Sequence, residues 1–144
     1  MKILITGING QVGHALMREL IDHELIGLTR KDCDLTNPDQ IRQVIDLHQP
    51  DLIINPAAYT QVDQAEDEPE LAFLINRDAP RVIAEKAREY DIPFIHFSTD
   101  YVFDGEIEGA YVEDDPTNPL GVYGQSKLAG EQAIQNIGGQ FYIL

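Results

Sequence analysis

Short apolar runs alternate with amphipathic stretches along the whole chain. The runs are of strand length, whereas the stretches between them carry apolar side chains at helical spacing. The predicted strands are residues 3–6, 24–29, 51–55, 92–98 and 140–144, and the predicted helices are residues 11–22, 38–48, 66–90 and 121–136. A proline inside a helix removes a hydrogen bond, so Pro80 predicts a break in the long third helix near Asp78 or Ala79.

Strands that alternate with helices indicate an α/β protein. We expect a Rossmann-like, doubly wound parallel sheet with helices on both faces, formed as one domain by residues 1–144. Such sheets bind ligands at the carboxyl ends of their strands. Gly7, Ala57 and Thr99 each follow a predicted strand, so they are expected at the same edge of the sheet.

Three glycines follow the first strand and open the first helix. Gly7 would allow the tight turn, Gly10 would let a phosphate approach the backbone, and Gly13 would let the helix pack closely. The free N–H groups of the helix start favour an anion there. The spacing is GxxGxxG rather than GxGxxG, and a plain strand-to-helix turn is the alternative interpretation. At the very start of the chain, the pattern favours a dinucleotide pyrophosphate site.

Arg30 follows the second strand, where the type of residue bears on the choice of dinucleotide. An acidic residue near this point binds the ribose of NAD, whereas an arginine accepts the 2′-phosphate of NADP. Arg30 therefore favours NADPH, with NADH as the alternative, unless it is a solvated surface residue. Asp34 and Leu35 follow and could border the adenine.

The loop after the third strand is rich in small residues. Ala57, Ala58 and Tyr59 suit a surface against which a cofactor packs, although a plain connecting loop would have a similar composition. On the helix that follows this loop, Asn76 is interpreted as a solvated surface amide. In the fourth strand His96 alternates with large apolar residues, which is typical of a hydrogen-bonded core histidine.

Tyr123 and Lys127 lie four residues apart on the last predicted helix, and therefore on one face of it. A tyrosine has a reference pKa of about 10, and a neighbouring ammonium group brings that pKa closer to neutrality. The pair could therefore exchange a proton with a substrate, and Thr99 could hold the substrate oxygen. Alone, a Tyr-xxx-Lys pair on an amphipathic helix usually consists of two surface residues without a function. The functional interpretation becomes stronger because a glycine turn and the strand end Ser98-Thr99-Asp100 precede the pair.

Composition narrows the classes of partner. The formal net charge of -15 argues against nucleic acid or an anionic membrane surface, and no apolar run approaches the ~20 residues of a membrane span. The single cysteine, Cys33, allows no internal disulfide and is interpreted as a small buried residue; a cytoplasmic setting is the default. The acidic run 113–115 is interpreted as a solvated turn, and no metal site is expected.

Four stretches of the chain carry a family resemblance: residues 5–13, 55–66, 98–105 and 119–131. With them the chain resembles the extended short-chain dehydrogenase/reductases, and within these the dTDP-4-dehydrorhamnose reductase family. The resemblance implies NADPH-dependent reduction, with NADH as the alternative, of the C4 ketone of dTDP-4-dehydro-6-deoxy-L-mannose. The product would be dTDP-L-rhamnose, a precursor of cell-surface polysaccharide, and the enzyme could be a homodimer.

The same resemblance assigns roles to individual residues. Tyr123 would donate a proton to the developing alkoxide, Lys127 would tune Tyr123 and bind the nicotinamide ribose, and Thr99 would hold the carbonyl oxygen. The implied cofactor residues are Gly7, Gly10, Gln11, Val12, Gly13, Arg30, Asp34, Leu35, Ala57, Ala58, Tyr59, Tyr123 and Lys127. The implied substrate residues are Thr60, Val62, Thr99 and Tyr101.

One departure from the family pattern is the length of the chain. Family members are about twice as long, and their C-terminal half supplies most of the nucleotide-sugar pocket, so we interpret the chain as an N-terminal half. A non-catalytic NAD(P)-binding subunit, as in methionine adenosyltransferase, stays open as an alternative. So does another nucleotide-sugar reductase, epimerase or dehydratase, although a dehydratase is expected to carry an acid where Tyr101 stands.

Overall fold

A five-stranded, wholly parallel sheet forms the centre of the computed structural model, which describes residues 1–144. The strands are β1 (Lys2–Thr6), β2 (Glu24–Leu28), β3 (Leu52–Asn55), β4 (Phe94–His96) and β5 (Phe141–Ile143). They lie in the order β2-β1-β3-β4-β5. The chain therefore reverses its direction of travel across the sheet beside β1, which is where such sheets bind their ligands.

Six α-helices connect the strands. They are α1 (Gln11–Glu19), α2 (Pro38–His48), α3 (Val62–Ala65), α4 (Pro69–Phe73), α5 (Ala79–Glu89) and α6 (Val122–Ile137). A π-helical turn (Leu74–Asp78) joins α4 to α5, and a 3₁₀ turn (Asp100–Val102) follows β4. None of these helices combines the length and the apolar composition that crossing a bilayer requires.

Alternation along the strands divides the apolar side chains between the two faces of the sheet. On one face Leu4, Ile53 and Phe94 belong to the main core, which also contains buried residues of α2, α5 and α6. On the other face Ile3 and Ile5 pack with side chains of α1. The expected Rossmann-like sheet with helices on both faces is therefore confirmed, and both faces of the central strands are buried.

The region predicted as one long helix is divided more finely than expected. The break expected near Asp78 or Ala79 is absent, because the backbone stays helical through Asp78 and Ala79 and only changes from a π-helical turn to α5. The interruption lies earlier, between α3 and α4. Pro69 is the first residue of α4, where the missing N–H costs nothing. Pro80 is the second residue of α5, directly after the π-helical turn. The strand predicted at 92–98 is also shorter, because only Phe94–His96 pair with both neighbours.

Candidate active site

A cleft of about 750 Å³ opens at the carboxyl ends of β1, β2 and β3. Its lining combines small residues, polar side chains and several larger apolar side chains. The lining residues are Thr6, Gly7, Gly10, Gln11, Val12, Gly13, Leu28, Thr29, Arg30, Cys33, Asp34, Leu35, Pro56, Ala57, Ala58, Tyr59, Thr60, Gln61, Glu68, Leu71 and Ile75. The predicted glycine turn, the residues after β2 and the small-residue loop after β3 therefore face one common space.

The glycine turn forms the floor of the cleft from backbone atoms. Gly7 has a φ of 60°, which a side chain rarely allows, and an added Cβ there would lie 2.9 Å from the Cβ of Ala57. A Cβ on Gly13 would overlap the carbonyl oxygen of Gly7. A Cβ on Gly10 would meet only that same oxygen, at 3.3 Å. Gly7 and Gly13 thus permit the close packing of the turn, whereas Gly10 leaves its backbone open to the cleft.

Helix α1 begins at this floor with nothing that competes for an anion. Its N-cap residue, Gly10, has no side chain to cap the helix, and the first turn contains no acidic residue. The first N–H groups of a helix have no intrahelical acceptor, and the helix dipole makes that end positive. The start of α1 can therefore receive a negatively charged group.

The loop after β2 places one cation and one ordered carboxylate at the far end of the cleft. Arg30 is exposed and lines the cleft. Asp34 accepts hydrogen bonds from the backbone N–H and the hydroxyl of Thr36, at 2.9 and 2.8 Å. These bonds lower the pKa of Asp34, and the charge of Arg30 adds to the effect. The guanidinium group is thus available to an anion, while the carboxylate stays ionised and fixed in place.

Tyr59 anchors the small-residue loop after β3. Its ring is buried, and its hydroxyl donates to the carboxylate of Glu68 at 2.7 Å. Burial and this carboxylate raise the pKa of Tyr59 to about 12. The phenol is therefore neutral and already has an acceptor, which suits a residue that shapes the wall of the cleft rather than one that exchanges protons.

The prediction that Asn76 is a solvated surface amide was wrong. The residue is buried, with 1% of its surface exposed. Its Oδ1 accepts from the backbone N–H of Tyr59 at 2.8 Å, and its Nδ2 donates to the carbonyl of Tyr59 and the hydroxyl of Ser126, each at 3.0 Å. Ser126 in turn donates to the carbonyl of Tyr123 at 2.7 Å. Asn76 therefore connects the wall of the cleft to the helix that carries Tyr123.

A sequence signal for Asn76 existed. It lies four residues after Ala72 and three before Ala79, and both alanines are buried. The apolar spacing on either side thus placed the amide on the inner face of the helix. A π-helical turn surrounds it, and such turns occur frequently at functional sites.

The 3₁₀ turn after β4 brings Thr99 and Tyr101 to the N-terminal end of α6. The Thr99 hydroxyl accepts from the backbone N–H of Tyr101 at 3.2 Å, and the ring of Tyr101 meets the ring of Tyr123 edge-on, with centroids 5.5 Å apart. Any side chain on Gly124 would overlap the carbonyl of Tyr101, so only glycine allows this close approach. Tyr101 thus contacts Thr99 through its backbone N–H and Tyr123 through its ring.

Lys127 lies beneath this group and is only 2% exposed. Its ammonium group donates to the carbonyl of Phe97 at 2.5 Å. Burial lowers the pKa of Lys127 to about 8, and the charge of Glu131 opposes that shift. The pKa of Lys127 is therefore much closer to neutral pH than that of a surface lysine.

Below the cleft, a buried row of polar side chains joins three strand ends. The hydroxyl of Thr6 donates to Oδ1 of Asn55 at 2.5 Å, and Nδ2 of Asn55 lies 3.0 Å from Nδ1 of His96. His96 is a core residue as predicted, but its Nε2 has no partner. Burial, with the charge of Lys127, lowers the pKa of His96 to about 3, so the ring is neutral.

The predicted site residues divide into two groups. Those assigned to the cofactor line the cleft, except for Tyr123 and Lys127, and Thr60 of the substrate set lines it as well. Thr99, Tyr101, Tyr123 and Lys127 form a second group around β4 and α6, and Val62 begins α3 without lining the cleft. Asn76 and Ser126 link the two groups through side-chain hydrogen bonds.

The fold and the two groups of residues define an α/β Rossmann-like domain of the short-chain dehydrogenase/reductase class. Within that class, the chain belongs to the family described as the RmlD substrate binding domain, whose model matches residues 1–144.

Named relatives agree with this family. The chain is 43% identical to dTDP-4-dehydrorhamnose reductase of Burkholderia thailandensis over 98% of its own length and 48% of the relative's length. It is 42% identical to a probable dTDP-4,6-dihydroxy-2-methyloxan-3-one 4-ketoreductase of Streptomyces antibioticus, over 93% of this chain and 46% of that protein. The chain thus spans about half the length of the curated relatives that it matches.

A solved structure gives the same result for the fold. The chain superposes on dTDP-4-dehydrorhamnose reductase of Bacillus anthracis, crystallised in complex with NADP, with a TM-score of 0.94 and 38% identity. The match covers 99% of this chain and 51% of that one.

Proposed function

We propose that this domain is the cofactor-binding half of an NADPH-dependent reductase that acts on the C4 ketone of a dTDP-linked 4-keto-6-deoxy sugar. The observation that carries the proposal is the arrangement of the site. A cleft lined by a glycine turn and Arg30 is linked through Asn76 to a Thr99, Tyr123 and Lys127 group. The relatives named as dTDP-4-dehydrorhamnose reductases support the same activity.

The residues of the cleft fit a phosphorylated dinucleotide. The open backbone at Gly10 and the uncapped start of α1 suit the pyrophosphate, with Gln11 and Val12 beside it. Arg30 suits the 2′-phosphate, and Asp34 and Leu35 suit the adenosine end. Ala57 and Ala58 present little side-chain bulk along the wall. The fit to NADPH is better than the fit to NADH because Arg30, in the loop after β2, supplies a cation at the cleft.

The chemistry follows from the second group of residues. The nicotinamide, when bound, would supply a hydride to the substrate carbonyl. Tyr123 would donate its phenolic proton to the oxygen that becomes negative, and the Thr99 hydroxyl would donate a hydrogen bond to the same oxygen. Lys127, as an ammonium, would make Tyr123 a better acid and hold the ribose hydroxyls.

A neighbouring ketoreductase activity is the second candidate. The relative from Streptomyces antibioticus carries the name of a different dTDP-sugar 4-ketoreductase, yet its identity to the chain is nearly the same as that of the first relative. Both activities reduce a C4 ketone, so the same cleft, Tyr123 and Thr99 serve either. Thr60, Val62 and Tyr101 are the candidate sugar contacts within this chain.

NADPH oxidation by the full-length protein tests the proposal. Absorbance of the reduced nicotinamide should fall when dTDP-4-dehydro-6-deoxy-L-mannose is added, and should stay constant without a keto sugar. A second dTDP-4-keto-6-deoxy sugar, offered at equal concentration, distinguishes the two ketoreductases by kcat/KM. Tight NADPH binding without oxidation in the presence of either sugar would instead indicate a non-catalytic cofactor-binding subunit.

A further inference from the structure

Two polar contacts, one helical turn apart, fasten α6 to the end of β4. Lys127 donates to the carbonyl of Phe97, and the hydroxyl of the next residue, Ser98, donates to the carboxylate of Glu131. Thr99 follows at once. The two contacts therefore fix the position of the helix that carries Tyr123 relative to the hydroxyl of Thr99.

Glu131 also has an electrostatic relation to Lys127. The two residues are four positions apart on α6 and so share one face of the helix. Lys127 is almost fully buried, which favours the neutral amine, and Glu131 is the one charged group that raises its pKa again. The carboxylate therefore opposes the loss of the proton that burial promotes.

The other titratable groups around Lys127 offer no countercharge. His96 faces it from β4 and is neutral, because its pKa is lowered to about 3. Tyr123 precedes Lys127 by one turn on α6 and carries a phenol rather than a carboxylate. Tyr101, on the 3₁₀ turn, packs against Tyr123 and is likewise a phenol.

Of the carboxylates on elements packed against α6, Asp78 is paired with Arg77 and Asp100 is exposed on the 3₁₀ turn. Glu131 is the anion whose charge acts on the pKa of Lys127.

We propose that Glu131 is a positioning residue, whose carboxylate, oriented by Ser98, keeps Lys127 an ammonium held against the carbonyl of Phe97. The inference rests on the proposed function, since it assigns Glu131 a part in preparing Lys127 for Tyr123 and the ribose. Glu131 itself does not touch the reacting atoms. Its removal should therefore change the pH range of activity rather than abolish the reaction.

Titration of Lys127 tests the proposal without requiring turnover. In full-length protein with 13C-labelled lysine side chains, the Lys127 resonance can be assigned by its loss in a Lys127→Arg variant and followed against pH by NMR. Glu131→Gln should lower the pKa of Lys127 by about one unit, the smaller end of what an adjacent opposite charge produces. Ser98→Ala, which keeps the charge but releases the carboxylate, should give a smaller decrease. An unchanged Lys127 titration in Glu131→Gln would overturn the proposal.

A matched loss of charge elsewhere provides the control. Glu24 is exposed on β2, at the opposite edge of the sheet from β4 and β5. Glu24→Gln removes the same charge and should leave the Lys127 titration where it is. An equal shift in both variants would mean that Lys127 responds only to net charge, and the proposal would be rejected.

The pH profile of the reaction gives the second measurement. In Glu131→Gln the alkaline limb of kcat/KM should move to lower pH by the shift that NMR finds for Lys127, and Glu131→Asp should restore part of it. A uniform loss at every pH, with the titration unchanged, would show a merely structural role and overturn the proposal. If Glu131→Gln does not fold, Ser98→Ala and Glu131→Asp carry the same test. Absence of reductase activity in the wild type would refute the proposed function, while the NMR titration would still decide the role of Glu131.

Discussion

The two groups of site residues are built in opposite ways. Around Gly7 the cleft is shaped by the backbone, since the residues that matter there are those without side chains. Around Lys127 the site is shaped by buried polar side chains that bond to the ends of strands and to one another. The first group offers N–H groups and space to an anion, whereas the second places an ammonium, a phenol and a hydroxyl.

The difference has a physical reason. A cofactor phosphate is large and charged, and it needs donors and room, which a glycine turn before a helix supplies with no titratable group. Proton transfer instead needs groups whose pKa lies near the working pH, and burial with a chosen countercharge produces such values. Lys127, which assists Tyr123 as an ammonium, shows both effects, since burial lowers its pKa to about 8 and the charge of Glu131 opposes that shift.

The largest expected effect separates chemistry from binding. Tyr123→Phe removes only the phenolic oxygen, so NADPH should still bind while turnover falls by roughly 10²–10⁴-fold, the usual contribution of general acid catalysis. Stopped-flow NADPH oxidation and fluorescence titration measure the two quantities in the full-length protein. Tyr142→Phe, at an exposed tyrosine of β5, is the control and should change neither. Retained turnover in Tyr123→Phe would remove Tyr123 as the proton donor.

The sequence predicted the group of residues around Gly7, which the backbone shapes, far better than the group around Lys127. Glycine spacing and apolar runs are local signals, so the alternation of strands and helices and the place of Gly7, Gly10 and Ala57 at the strand ends could be expected from the sequence. The order of the strands in the sheet was not predicted. Element ends were less exact. The strand that contains His96 has only three residues, because only Phe94–His96 pair with β3 and β5.

The group of residues around Lys127 is held together by contacts between residues far apart in the sequence, which no local sequence pattern predicts. Asn76 bonds to Tyr59 and to Ser126, seventeen and fifty residues away, and it was therefore misread as a surface amide. The bond between Ser98 and Glu131 spans thirty-three residues. Sequence spacing could pair Tyr123 with Lys127, which are one turn apart, but it could not show that the lysine is buried.

Removing the Asn76 side chain, which links the two groups of site residues, should have the next largest effect. Asn76→Ala leaves the N–H and carbonyl of Tyr59 without their buried partner, so the free energy of unfolding should fall by roughly 2–4 kcal/mol. Urea denaturation measures that change. Asn118→Ala, at an exposed asparagine bonded to Asp104, should cost well under half as much. Equal losses in the two variants would show that Asn76 is no special link between the groups.

Within the glycine turn, two substitutions should separate folding from binding. Gly13→Ala forces a Cβ onto the Gly7 carbonyl and onto Ile8, and such overpacking should cost roughly 1–3 kcal/mol of unfolding free energy. Gly10→Ala places its Cβ 3.3 Å from the same carbonyl oxygen, a tight contact that a shift of a few tenths of an ångström relieves, so it should cost less stability than Gly13→Ala. It should nevertheless weaken NADPH binding in a fluorescence titration. If Gly10→Ala bound NADPH as well as the wild type, the phosphate would not approach the backbone there.

The smallest expected effect concerns the choice of dinucleotide. Arg30 is exposed, and an exposed ion pair is worth about 1 kcal/mol or less, so Arg30→Ala should weaken NADPH binding by about fivefold and leave NADH binding unchanged. Lys31→Ala removes a neighbouring charge that does not line the cleft, and it serves as the control in the same titrations. The difference should shrink at high ionic strength, because salt screens exposed charges. Equal losses for NADPH and NADH would mean that Arg30 contacts a part that both cofactors share, and the preference would then have to come from another residue of the loop after β2.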